Sequence, residues 1–287
     1  MNWIFLAFGV ALFDSLKNVL AKSTLKNVDE VIVAWSNSFF SAILLLPVLF
    51  WGLPEIKPMF FVGLFVSGTL NVIALIFFMK SIRFGDLSNT VPLTTISPLL
   101  LLITSPIIVG EFPSFQGILG MIAIVIGAYI LNFQKGQNDL FLPFKLIFYE
   151  KGPRYMLFVV LIWSVTANFD KIGVVNSSPL FYSFSVQLYI GLVLLFIVLP
   201  KFRKNNSLFK TNKKAFWGIG ILSTLTIICH MLAIQLTLVP YVISIKRTNS
   251  ILSVIFGRIF FKEGNLKERL FAASLMFIGV LLITFSK

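Results

Sequence analysis

The sequence predicts an all-α integral membrane protein: ten transmembrane helices arranged as two inverted five-helix repeats. Three observations predict it. Hydrophobic residues make up 57% of the 287 and charged residues only 12%, with a mean hydropathy of +0.94, whereas soluble domains are about 25% charged. The apolar stretches are long and continuous, without the two-residue alternation of barrel strands, and each is close to the roughly 20 residues that cross a 30 Å hydrocarbon core. Finally, the same polar and glycine signals recur at matched spacing in the two halves of the chain.

The spans are predicted at residues 3–21, 31–51, 59–79, 88–109 and 113–133, then at 155–175, 179–199, 215–238, 240–261 and 266–285. No basic region precedes the first apolar stretch, so it is read as a retained helix and not a cleaved signal. The chain divides into a first repeat at 1–133, a polar connection at 134–154 and a second repeat at 155–287. The other long connection, 200–214, carries Lys201, Arg203, Lys204, Lys210, Lys213 and Lys214 and reads as a solvated cytoplasmic loop or lipid-headgroup contact.

The net charge of +13 does not point to nucleic acid, because the basic residues sit mainly between apolar stretches and not on one soluble face. A single cysteine, Cys229, allows no intrachain disulfide and no thiolate metal site, and one histidine, His230, excludes a multi-histidine site. No metal and no cofactor is expected. Basic residues bias the loops: 17 follow the odd-numbered spans, while Lys57, Lys171 and Lys287 lie on the other side. Positive residues stay in the cytoplasm, which places both termini outside.

The repeat is visible in residue offsets. Ser97-Pro98-Leu99, Gly110-Glu111 and Gly127 in the first half match Asn249-Ser250-Ile251, Lys262-Glu263 and Gly279 in the second. Glu111 to Glu263 and Gly127 to Gly279 are both 152 residues. Trp35 to Asn37 in span two correspond to Ser185 to Gln187 in span seven, offset by 150. Five spans per half is an odd number, so two tandem halves lie oppositely in the membrane. That is a plan of secondary transporters, with a site near the midplane between the halves. On these residues, with Thr95-Ile96-Ser97-Pro98-Leu99 and Lys246-Arg247-Thr248-Asn249-Ser250 as the carrying stretches, the chain resembles the EamA-like family of the drug/metabolite transporter superfamily over nearly its whole length. The resemblance implies a ten-helix metabolite carrier without ATP hydrolysis, often an exporter, whose termini are cytoplasmic. On that last point it opposes the charge count, which weighs more. Ser250 stands where Pro98 stands in the first half, so the second copy is expected to lack a proline kink.

Charged residues inside spans are the strongest functional signal, since each costs about 2.5–3.5 kcal/mol on insertion scales. Lys246 and Arg247, about 10 Å into span nine, are candidates for an anion site: Arg247 offers a planar fork to a carboxylate or phosphate and Lys246 a point charge. A basic pair in the ninth helix also resembles that of the sugar-phosphate carriers in the superfamily. The structural alternative pairs one or both with Asp14 or Asp170. Asp14 and Lys17 share a helix face at i, i+3 and read as an ion pair, with proton coupling at Asp14 as the alternative. Asp170 and Lys171, near the end of span six, read as an interfacial pair. Among uncharged polar residues, Asn37, Asn71, Gln187 and Asn249 are the candidate ligands, and Trp35, Trp163 and Tyr189 the aromatic candidates for a cavity wall, against interhelical hydrogen bonds and core packing. Glu111 and Glu263 read as turn or capping groups, Gly117, Gly120 and Gly127 as close-packing sites, and Pro92, Pro98 and Pro106 as kinks in span four. His230 reads as a packed histidine and Arg258 as a snorkelling cation.

These residues favour a cell-membrane secondary transporter, an exporter or exchanger, for a small polar anionic metabolite, with the proton as candidate coupling ion and lipid as its surroundings. An exporter of neutral or zwitterionic amino acids or drugs is the alternative, and a channel is a remote one. An intramembrane enzyme is disfavoured, because the sequence holds no HExxH helix, P-loop or GxSxG elbow. Monomer and homodimer both stay open.

Overall fold

The computed structural model describes residues 2–85, 90, 93–132, 141–204, 207–249 and 266–286. Among them every regular element is helical. The elements are α1 (Asn2–Thr24), α2 (Glu30–Leu45) with a 3-10 extension Leu46–Trp51, α3 (Met59–Phe84), α4 (Ser97–Val109), α5 (Phe115–Asn132), α6 (Leu142–Tyr149), α7 (Lys151–Val175), α8 (Pro179–Lys204), α9 (Ser207–Leu236), α10 (Val239–Lys246) and α11 (Leu266–Thr284). Six of these are long and apolar enough to cross a membrane, and three shorter apolar helices cover 97–109, 115–131 and 271–284. Phe5, Phe50, Ile107, Phe196 and Phe277 are exposed. Such side chains on the bundle's outside suit contact with hydrocarbon and not with water.

Three boundaries differ from the sequence reading. The 134–154 connection contains α6, and α7 begins at Lys151, four residues before the predicted span. The 200–214 connection is largely helical, since α8 runs on to Lys204 and α9 starts at Ser207. The predicted spans four and nine are not continuous helices. The chain turns at Thr95-Ile96 before α4, and again at Arg247-Thr248 after α10, with Asn249 helical once more. The two turns are 152 residues apart and use matching bonds, Ile96 N–H to Leu93 O at 3.3 Å and Thr248 N–H to Ile245 O at 2.9 Å. Pro98 therefore sits in the first turn of α4, where no N–H donor is needed, and does not kink a continuous span. Position 250 holds serine, so the proline does not account for the shared break. Pro92, Ser250, Ile251, Arg258, Lys262 and Glu263 lie outside the described residues.

The packing is pairwise. α3 lies on α7 and α1 on α9; α2 lies on α8, and α5 on α11. α2 also meets α9 as α3 meets α8, α4 meets α7 as α1 meets α10, and α4 meets α10. Exchanging α1–α5 for α7–α11, helix for helix, maps each packing onto another of the set or onto itself. Close backbone approach makes two of these crossings possible. A Cβ on Gly279 would stand 2.6 Å from Gly120 O, and one on Gly120 would stand 2.7 Å from Gly279 O. On the other pair, a Cβ on Gly63 would meet Gly173 N at 2.7 Å. In a membrane such contact replaces the hydrophobic drive that lipid removes.

One end of the bundle is tied by charges. Asp29 caps α2 by accepting from Val31 N–H at 2.9 Å and also meets Lys201 Nζ of α8 at 2.6 Å. Beside it, Arg83 of α3 lies 2.6 Å from Glu30. Partial burial pushes the Asp29 carboxyl up, but the Lys201 bond and the Val31 N–H prevail and hold it below its ordinary value.

Two predictions follow from the packing and the tie. Gly279→Ala lowers stability in detergent by about 1–3 kcal/mol, read by thermal unfolding. Gly218→Ala, whose Cβ meets only the tip of Leu20, has a smaller effect. A carboxyl held low stabilises the fold above its unfolded value, near 3.9, and loses that contribution as pH falls through the folded value. The stability gap between wild type and Asp29→Asn should therefore be constant above about pH 5 and close in stronger acid, as measured by melting across that range.

Candidate functional site

A cavity of about 150 Å³ lies among α1, α2, α3, α4, α7, α8, α9 and α10. Helical spacing builds its walls. Trp163, Thr166, Ala167 and Asp170 line it from one face of α7, at i, i+3, i+4 and i+7, and Ser223, Thr226, Ile227 and His230 do the same on α9. Asp14 and Lys17 reach it from α1, Asn37 from α2, Asn71 from α3 and Gln187 from α8. The last residue of α10, Lys246, and Arg247 in the turn after it line the cavity, as does Ser97 at the start of α4.

The charges within it are unevenly paired. Asp14 lies 2.8 Å from Lys17 and 3.6 Å from Lys246. Lys246 Nζ also stands 5.8 Å from the centre of the Trp163 ring, within cation–π range. Arg247, only 4% exposed, donates from Nε at 3.1 Å and Nη2 at 2.5 Å to Ser97 Oγ. Among the described residues no carboxylate lies within ion-pair distance of Arg247. Asp14 thus faces three cations. Ser97, the hydroxyl that holds the guanidinium, is the first residue of α4.

The polar residues are held by small networks. Asn71 Nδ2 donates to Ser67 Oγ at 3.0 Å, and Ser67 donates to Asp170. The Tyr182 hydroxyl lies 3.0 Å from the same carboxyl oxygen. Gln187 Nε2 donates to Ser223 Oγ at 3.1 Å. Asn37 Oδ1 and His230 Nδ1 are buried and accept no hydrogen bond among the described residues. Behind the wall, Ser105 donates to Asn168 Oδ1 at 2.6 Å, while Asn168 Nδ2 donates to Thr104 Oγ1 at 3.0 Å and Ser164 O at 2.8 Å, tying α4 to α7.

Of the residues singled out from sequence, the cavity brings together Asp14, Lys17, Asn37, Asn71, Trp163, Gln187, Lys246 and Arg247. Three stand outside its wall. Trp35 stacks on Phe39 at 4.7 Å and meets Phe40 at 5.6 Å, inside an aromatic cluster. Tyr189 packs over Gly68, with its hydroxyl 2.9 Å from Thr69 Oγ1 on α3. Asn249 follows the turn and is not among the lining residues. Asp170 and Lys171 do not pair with each other, because neighbouring helical residues diverge by about 100°. Asp170 enters the wall, and Lys171 pairs with Glu111 and donates to Thr237 O at 2.8 Å. His230, read as packed, is on the wall too. Ser97, named only as part of the repeat motif, and Ser223, Thr166 and Thr226 were not singled out as site residues, although the i, i+3, i+4, i+7 stripes on α7 and α9 are legible in the sequence.

Glu111 has the capping role its position suggested, but for a distant helix: Oε2 accepts from Val239 N–H, the start of α10, at 2.7 Å. Glu111 and Lys171 therefore fasten α4, α7 and the α9–α10 turn together. Removing one partner of a buried pair costs about 3–5 kcal/mol. Glu111→Ala should destabilise the protein by roughly that amount, and Glu111→Ala/Lys171→Met by clearly less, as a double-mutant cycle of thermal unfolding would measure.

Long apolar helices, two matched helix breaks and a charged cavity beside them fit a multi-pass membrane protein. The model of the EamA-like transporter family matches residues 1–133 and again 151–285, and the chain belongs to that family. None of the curated proteins matches the sequence. A protein known from a crystal structure superposes with a TM-score of 0.73 at 14% identity, over 99% of this chain and 96% of the other, which shows a shared fold.

Proposed function

We propose that the protein is a secondary carrier of a small polar solute with an anionic group, exported or exchanged by alternating access between two inverted five-helix halves, 1–133 and 155–287, joined by 134–154. The observation that carries the reading is Arg247: a guanidinium 4% exposed, in a cavity wall, bonded to a serine hydroxyl in place of a carboxylate. Burying an unneutralised cation is costly, and a visiting anion would remove that cost. Lys246 adds a second positive charge that Asp14 shares with Lys17. Asn37 and Gln187 supply polar groups, and Trp163 an aromatic surface, on the same wall.

The alternation is supported by the matched breaks at 95–96 and 247–248 and by a packing scheme that survives exchange of the halves. Discontinuous helices meeting at a midplane site are the usual means by which inverted repeats bind and rock. The proton stays the candidate coupling ion, with Asp14 and Lys17 as a pair that a bound anion would redistribute.

The test is thermal stabilisation of purified protein by a panel of carboxylates, phosphates, amino acids, nucleobases and cationic drugs, on wild type and on Lys246→Ala/Arg247→Ala. A ligand of the folded state alone raises its stability, by about 2.7 kcal/mol at a hundred times Kd. An anion-bearing compound should stabilise wild type and lose its effect in the double variant. Equal stabilisation of both proteins by neutral or cationic compounds would make the basic pair structural.

A further inference from the structure

The cavity holds a second carboxyl that the anion site leaves unused. Asp170 is 7% exposed and lines the cavity from α7. Its Oδ1 accepts from the Ser67 hydroxyl and lies 3.0 Å from the Tyr182 hydroxyl, which also stands 3.1 Å from Gly63 O. Oδ2 accepts no hydrogen bond among the described residues, and no lysine, arginine or histidine there lies within ion-pair distance of the carboxyl. The neighbouring cation, Lys171, is committed to Glu111 and Thr237. The elements packed on this part of α7 present hydroxyls and amides: Ser67 and Asn71 from α3, Tyr182 from α8.

The position of Asp170 along the cavity is fixed by two independent contacts. Lys246 meets the Trp163 ring, and Trp163 precedes Asp170 by two helical turns on the same face of α7, about 10 Å of helix axis. Ser105 on α4 bonds to Asn168 and Glu111, just past the end of α4, pairs with Lys171, so α4 and α7 run in the same direction. Ser97, which holds Arg247, lies eight residues before Ser105, about 12 Å lower. Both measures put the basic cluster at one end of the cavity and Asp170 at the other.

We propose that Asp170 is a second subsite, for a cationic group, and that the solute carried is an elongated zwitterion with its two charges on the order of 10 Å apart along α7. The inference rests on the carrier reading and narrows its substrate class. A desolvated carboxylate with a free oxygen is costly in the membrane unless it meets a cation or is neutralised. A primary ammonium on the far end of the solute supplies the cation, donating to Oδ2 while Ser67 and Tyr182 hold Oδ1. The solute's carboxylate then meets Arg247 and Lys246, and its apolar middle passes the Trp163 face. An α-amino acid, whose charges are adjacent, reaches only one end.

The experiment uses matched probes on the purified full chain: 4-aminobutanoate, 6-aminohexanoate and 8-aminooctanoate against butanoate, hexanoate and octanoate, with affinities from thermal shift. On wild type the longer amino compounds should bind at least tenfold tighter than their alkanoates, a usual scale for a buried charge pair, with little gain for 4-aminobutanoate. Asp170→Asn, which preserves shape, should bring each amino compound down to its alkanoate and leave the alkanoates unchanged. An amino group that gives no advantage on wild type overturns the proposal, whatever the variant's folding yield, and so does an advantage that persists in Asp170→Asn. An advantage lost in Asp170→Asn but indifferent to Lys246→Ala/Arg247→Ala keeps the Asp170 subsite and sinks the anion site.

Discussion

In hydrocarbon an unpaired backbone amide or carbonyl costs several kcal/mol, so a chain can leave the helix at membrane depth only where protein or a polar cavity satisfies it. This constraint organises the molecule. The chain leaves the helix at Thr95-Ile96 and again at Arg247-Thr248, and both turns close with i to i+3 bonds beside the cavity. The start of α4 and the end of α10 meet beside these turns, and Arg247 reaches Ser97 between them. A distant carboxylate does the same work for α10's other end, where Glu111 accepts from Val239 N–H.

The end of α10 also decides which charges meet. Lys246 and Arg247 sit at the helix end with Arg247 still in right-handed helical backbone, so the two side chains diverge by about 100°. The lysine turns to Asp14 and Trp163 while the arginine goes to α4. One acid therefore serves Lys17 and Lys246 together, and Arg247 keeps a neutral partner. At the opposite end, among the described residues, only hydroxyls bond to Asp170. The cavity has a positive end and a negative end, separated by two turns of α7, and its middle is a face of aromatic, threonine and alanine side chains.

Glycine pairs set how closely the walls approach. Gly120 and Gly279 let α5 and α11 touch backbone to backbone, and Gly63 and Gly173 do so for α3 and α7. The second contact matters for the site, because it also seats the Tyr182 ring against Gly173 and its hydroxyl by Asp170. Packing and electrostatics meet in that one corner of the fold.

Much of this was legible in the sequence for one reason: hydrophobicity, helical periodicity and offset are properties of the chain itself. They determined the helical membrane class, the 152-residue repeat, the Asp14–Lys17 pair and the choice of Lys246 and Arg247 as cavity residues. The stripes on α7 and α9 were equally open to reading. Contacts between distant segments were not. Whether Trp163 or Trp35 faces the cavity depends on what each helix packs against, and the same local pattern gave both. Lys171 lies next to Asp170 in sequence, yet finds its partner in Glu111, sixty residues away. The helix breaks escaped too, because an apolar run reads the same whether the backbone inside it is straight or turned. Sequence alone determined which polar groups the membrane must hide; only the tertiary structure decided which of them hide together, since that depends on the directions in which packed helices point their side chains.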